Sequence, residues 1–170
     1  LQDSQEAILT AYEQNKIDNE SGNLRILTGI PKIDQHITMK RGDFVGVLGY
    51  AGQRKSSLCR TIVYNAALAG FNTMHITFEQ TLLEEQIMYA LMHSHHPKFY
   101  GKPKPSKEKF DKGTQIPEEE DFIRNIVLPD LKNLPGKIGI FQPTGTATWP
   151  SVKAKAESEN QKYPIDILFI

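Results

Sequence analysis

The run "GYAGQRKSSL", residues 49–58, sets small residues ahead of a lysine and two hydroxyls. Such spacing can curl backbone N–H groups around an anion at the start of a helix. The phosphate-loop pattern G-x-x-x-x-G-K-[ST] belongs between a strand and a helix. Gly49 supplies its first glycine, Lys55 its lysine and Ser56 its hydroxyl, with Ser57 following. Arg54 stands where the second glycine is expected, and Gly52 and Gln53 offer a tight turn just before it. In a working loop the amides of residues 52–56 face the phosphates of ATP, Lys55 bridges the β- and γ-phosphates, and Ser56 coordinates Mg2+. Two blander readings stand beside this one. Lys55 and Ser56 would simply begin a surface helix, or the loop would be genuine but bind phosphate poorly. Arg54 brings a side chain where close backbone approach is wanted, at about 1–2 kcal/mol if its φ is positive.

Glu79, in "HITFEQT", is the second candidate. At the carboxyl edge of a strand it could take a proton from water attacking a γ-phosphate; otherwise it is a helix cap or a surface carboxylate. Thr81 and Glu84 have capping-box spacing, which makes Glu84 structural. Asp166 lies at the start of its strand, the wrong end for the site, and reads as a cap or surface group. His93, His95 and His96 match no standard zinc signature and read as helix-end and loop histidines, favourable there when protonated. Trp149 reads as an anchor.

The elements around these residues must hold them in place. "DFVGVLG", residues 43–49, is a continuous apolar run of the kind buried on both faces of a sheet. "KSSLCRTIVYNAALAG" has helical spacing and "FNTMHITF" is a second strand, so the three predict a right-handed parallel βαβ unit. A helix over Leu82 to His93 follows. Residues 97–116 form a lysine- and proline-rich surface insert, expected as a long excursion or flexible arm. "PEEEDFIRNIVLPDLKNL" resumes helix, "KIGIFQ" is a third strand, "WPSVKAKAESENQK" a crossover helix and "IDILFI" a fourth strand. Strands alternating with helices give an α/β fold with helices on both faces. Upstream, residues 1–20 suggest a helix with a thin stripe of Ile8, Ala11 and Tyr12, residues 18–23 a turn-rich separator, and Pro31 the start of a short helix.

The chain has 170 residues, with 20 Lys+Arg balanced by 20 Asp+Glu. This balance argues against a basic coating protein, and a nucleic-acid partner would have to be met by a local patch. With Cys59 the sole cysteine, no intramolecular disulfide or cysteine zinc cluster can form, which suits a reducing, intracellular setting. No apolar run approaches the roughly 20 residues needed to cross a bilayer, so no membrane role is expected. The chain opens at Leu1 and stops on the last residue of an apolar strand, Ile170, so a truncated domain is expected.

The matching stretches "TGIPKIDQHITMKRGDFVGVLGYAGQRKSSL", "NAALAGFNTMHITFEQT" and "IDILFI" resemble the RecA-like ATPase domain of ring-shaped replicative helicases of the bacterial and phage DnaB kind. Thr28, Gly29, Ile33 and Asp34 match that family's opening motif. Arg41, Gly42 and Asp43 match its turn before the loop strand. The likeness covers residues 24–170 and is poorest in the insert. It implies a three-layer P-loop fold with a mostly parallel sheet, Lys55 and Ser56 at ATP and Mg2+, Glu79 as the catalytic carboxylate, and residues 1–20 as a linker helix. It also implies a hexameric ring moving along single-stranded DNA, working at a nucleoid, a phage replication fork or in an organelle. The family's magnesium aspartate would follow Ile170, and Arg54 departs from its loop. A recombinase- or clock-type ATPase, or an assembly subunit with a degenerate site, are the other functions weighed.

Overall fold

The computed structural model describes residues 2–20, 26–37, 39, 40 and 42–170. Its sheet has three parallel strands, β1 (Thr73–Ile76), β2 (Ile138–Phe141) and β3 (Ile167–Phe169), in the order β2-β1-β3. Thr73 lies opposite both Ile138 and Ile167, which fixes the register. Side chains alternate across a strand, so Met74 and Ile76 share one face of β1 and Thr73 and His75 the other. On the first face Met74 and Ile76 pack with Val152 of helix α8 (Trp149–Lys162). On the opposite face Val63 and Tyr64 of α3 (Lys55–Leu68) meet Tyr89 of α4 (Leu82–Ser94), with Ile138, Ile140 and Phe169 against them. Helices thus cover both faces, and all four residues of β1 are buried. The expected α/β class holds.

Asn72 fastens the near end of the sheet. Its N–H donates to Asp166 Oδ2 at 2.8 Å, its carbonyl accepts the Asp166 N–H at 2.8 Å, and its Oδ1 accepts the Lys137 N–H at 3.0 Å. Asp166 is therefore a strand-start clip, far from the carboxyl edge where a ligand would sit.

The expectation that residues 43–49 form the first of four strands is corrected. The segment pairs with none of the strands, and Phe44 and Leu48 are 100% and 96% exposed. A continuous apolar run states that a segment needs cover; it does not name the strand that will pair with it. Here β3 ends the sheet and no described residue pairs with its outer edge.

Upstream, α1 (Gln2–Glu20) extends into the expected separator, whose residues 21–23 lie outside the described residues, as does Arg41. Ile8, Leu9 and Tyr12 are exposed on α1. The Thr28–Asp34 motif is a local lock. Asp34 Oδ1 accepts the Thr28 N–H at 2.8 Å and its hydroxyl at 2.6 Å, closing the turn into α2 (Pro31–Asp34). Asn65 of α3 then donates to the Thr28 carbonyl at 2.8 Å. Gly29, with φ of 73°, lies so near Asn65 that a Cβ would stand 2.2 Å from its amide nitrogen.

Of the two readings of the insert, a surface excursion or a flexible arm, the flexible arm is set aside. A 3-10 turn at Pro97–Phe99 and helix α5 (Lys107–Lys112) give it structure. Phe99 is buried edge-on between His93 and Phe122, with ring centroids 5.5 and 5.4 Å away. Its lysines are mostly paired: Lys107 with Asp111 at 2.7 Å, Lys109 with Glu119 at 2.8 Å, Lys112 with Glu108 at 2.6 Å, and Lys98 with Asp130. One aromatic anchor and matched carboxylates order a segment that composition alone describes as solvated.

Beyond it, α6 (Pro117–Phe122) runs through a π turn at Ile123–Val127 into α7 (Leu128–Lys132). Pro129 has no N–H and crowds the carbonyl four residues back, so the helix widens there instead of breaking.

Two stability outcomes follow from this packing. Gly29→Ala should lose about 2–4 kcal/mol, combining left-handed strain with overpacking on Asn65. Phe99→Ala should lose about 3 kcal/mol by emptying the anchor site. Equilibrium urea unfolding measures both, and an unchanged midpoint for Phe99→Ala would contradict an anchored insert.

Candidate functional site

The phosphate-loop candidates gather at the start of α3. Gly52 takes φ of 78°, a conformation open to glycine, and turns the chain. The next sharp residue is Arg54, at φ 58° and ψ 29°, in the left-handed region. Arginine thus keeps the backbone shape that a glycine would give there, while its side chain faces solvent. Gln53 closes the loop from inside. Its N–H donates to the Tyr50 carbonyl at 3.3 Å and its side-chain Oε1 accepts the Tyr50 N–H at 3.0 Å. Lys55 folds back so that Nζ donates to the same Tyr50 carbonyl at 2.9 Å. A Cβ at Gly49 would stand 2.9 Å from the Gln53 oxygen, so a larger residue there would push on the side chain that accepts the Tyr50 N–H.

No side chain caps the N-terminus of α3, and its first registered helical bond runs from the Leu58 N–H to the Arg54 carbonyl. The preceding amides of the first turn have no partner within the helix and point along its axis. Ser56 and Ser57 are exposed beside them, and Lys55 is half-buried. The cluster offers amide donors, one ammonium and a hydroxyl, a set suited to phosphate oxygens. For Mg2+ it offers the Ser56 hydroxyl alone, and no group of three or more metal-ligating side chains occurs among the described residues.

Glu79 is exposed in the turn after β1. The Thr77 hydroxyl donates to the Gln80 carbonyl and accepts the Gln80 N–H, each at 3.2 Å, and this pair shapes the turn. α4 then starts on the expected capping box, with the Glu84 N–H on Thr81 Oγ1 at 3.2 Å and Glu84 Oε2 on the Thr81 N–H at 2.8 Å. Those Thr81 bonds hold the Glu84 carboxyl below its ordinary range. Glu84 is structural, as its spacing predicted. No hydrogen bond or ion pair joins Glu79 to the loop among the described residues.

Sequence reasoning missed two polar groups behind this site. Arg60, 3% exposed, forks onto Glu85, 2% exposed, through Nε at 2.6 Å and Nη2 at 3.0 Å. His75 joins them from β1, with Nδ1 3.1 Å from the Tyr89 hydroxyl and 3.7 Å from Glu85. An arginine on the apolar stripe of α3 opposite a glutamate on the inner face of α4 was the available signal. The second group chains the Tyr64 hydroxyl to His93 Nδ1 at 2.6 Å and His93 Nε2 to Asp130 Oδ2 at 2.6 Å, with Lys98 closing on Asp130. His93 does lie in the last turn of α4, as expected, but it is fully buried instead of facing solvent. Burial holds it below its ordinary range, against the opposing pull of the Asp130 hydrogen bond. Burial, then the Asp130 charge, pushes Tyr64 up to about 12. Trp149 opens α8 and is 64% exposed, so the expected anchor is not buried.

These shifts set a pH window. The folded chain binds fewer protons than the unfolded one at His93 and His75, both lowered chiefly by burial, so stability falls as pH drops below about 6.5. It holds its protons longer at Tyr64 and Tyr89, both raised, so stability also falls as pH rises past 10. Urea midpoints from pH 5 to 11 should form a plateau between these arms, and Tyr64→Phe should shrink the alkaline one. A flat acid arm would contradict neutral, buried histidines. Arg54→Gly should raise the unfolding free energy by about 0.5–1 kcal/mol, the left-handed relief less the extra freedom of glycine.

No family model, curated protein or solved structure matches this chain.

Proposed function

We propose that residues 49–57 hold the phosphates of ATP with Mg2+, and that the chain is part of an ATP-driven motor acting on single-stranded DNA as a homo-hexamer. The observation that carries this reading is the backbone of the loop. Arg54 accepts the left-handed conformation that the missing glycine would have supplied, at a cost of about 1–2 kcal/mol. A surface helix start has no reason to retain that strain, whereas an anion cradle does. Lys55 supplies the charge facing the phosphate oxygens, and the first-turn amides of α3 supply the donors. Ser56 offers a hydroxyl to Mg2+, and Gly49, Gly52, Gln53 and Ser57 line the turn. Glu79 acts as the base that orients water once the loop is filled. Gln53 must give up the Tyr50 N–H for a phosphate to settle fully into the loop.

A second reading has its own support. The exposed side chain of Arg54 and the undocked segment at residues 43–49 suit an assembly subunit whose nucleotide site has decayed. No helix among the described residues is long and apolar enough to cross a membrane, so neither reading involves a span.

Calorimetric titration with Mg-ATP separates the two. The motor reading expects measurable heat, lost by at least about tenfold in affinity in Lys55→Ala, the order of one charge-assisted contact, and strengthened in Arg54→Gly. Silence from the native chain together with binding by Arg54→Gly would establish the decayed site instead.

A further inference from the structure

Arg60 lies five positions beyond Lys55 on α3, turned into the protein. Both Glu85 oxygens accept from its guanidinium, at 2.6 and 3.0 Å, which joins α3 to α4. The same Nη2 also donates to Gln80 Oε1. Gln80 adjoins Glu79, and its backbone is held by Thr77 at 3.2 Å on either side. Joining two helices does not require this arrangement, because a well-packed apolar pair does so without desolvating a charge. What the third bond adds is a fixed relation between the helix bearing Lys55 and the turn bearing Glu79.

We infer that Arg60 is a positioning residue: through Gln80 it sets where the Glu79 carboxylate stands relative to the loop at residues 49–57. This rests on the nucleotide reading of that loop. Settling an anion at the N-terminus of α3 then shifts the guanidinium, and the Gln80 side chain carries the shift to the turn. The link is short, one helical turn and two side chains.

Arg60→Ala would strand the buried Glu85 charge and unfold the chain for reasons unrelated to the turn. Gln80→Leu is the informative variant, since it leaves the Arg60–Glu85 fork in place. Gln80→Glu, which keeps an acceptor, serves as the conservative rescue. Amide hydrogen exchange of the 170-residue chain, with and without Mg-ATP, reads the turn at Glu79 and Gln80 while calorimetry reads the loop. In the native chain Mg-ATP should slow exchange at Glu79. In Gln80→Leu, exchange of the turn should be faster by about tenfold, as for a locally opened segment, and Mg-ATP should no longer alter it. Affinity for Mg-ATP should stay within about twofold, and Gln80→Glu should restore the response. A merely structural contact would change the exchange rate but not its response to nucleotide. If Mg-ATP binds and Glu79 responds alike in the native chain and Gln80→Leu, the positioning role is overturned and the nucleotide reading stands. If Mg-ATP does not bind at all, both fall.

Discussion

Burying the Arg60 guanidinium obliges its neighbours to answer it with acceptors, and that obligation sets how three elements lie together. Desolvating such a group costs several kcal/mol unless its donors are met. Glu85 meets two of them from α4 and Gln80 another from the turn after β1. The same helix sends Tyr64 to His93 and Asn65 to Thr28 within the next turn. One stretch of α3 therefore locates α4, the insert behind His93 and the segment leading to α2. The apolar clusters stabilise these contacts but discriminate less well among arrangements, because apolar packing has no direction.

The same helix makes the loop geometry intelligible. Its buried face is committed to polar partners at residues 60, 64 and 65, so its N-terminal turn is rigid from behind and open in front. An anion site benefits from both. The amides stay aligned without a side-chain cap, and within the loop it is Gln53 and Lys55 that must rearrange, each already tied to Tyr50. Strain at Arg54 is tolerable because the residues following it are held by a buried helix.

Much of this was legible in the residues. Periodicity placed α3, α4 and α8, the strands at "TMHI", "IGIF" and "ILF", and their parallel pairing across helices. Capping chemistry gave Thr81 and Glu84 their roles, and the phosphate-loop spacing identified Gly49, Gly52 and Lys55 as a unit. Three things were not legible, each for a physical reason. The run at residues 43–49 announces a need for burial but contains no statement of its partner. Phe99 is one of three aromatics in a lysine-rich insert, with Tyr100 and Phe110, and what singles it out is His93 and Phe122, which only the fold brings near. His93 and Arg60 are polar residues on inward faces, and whether such groups are paired depends on carboxylates 37 and 25 residues away.

The widened turn at Ile123–Val127 has a further consequence. Each residue of an α-helix advances the phase by about 100°, so the extra residue in that turn resets which side of α7 looks inward. Asp130 reaches the His93 ring on the reset phase, and a straightened helix would send it elsewhere. Pro129, an intruder in the helix, thereby acts as a clutch between two helical segments, letting α6 pack Phe122 on the insert while α7 delivers a carboxylate to the histidine.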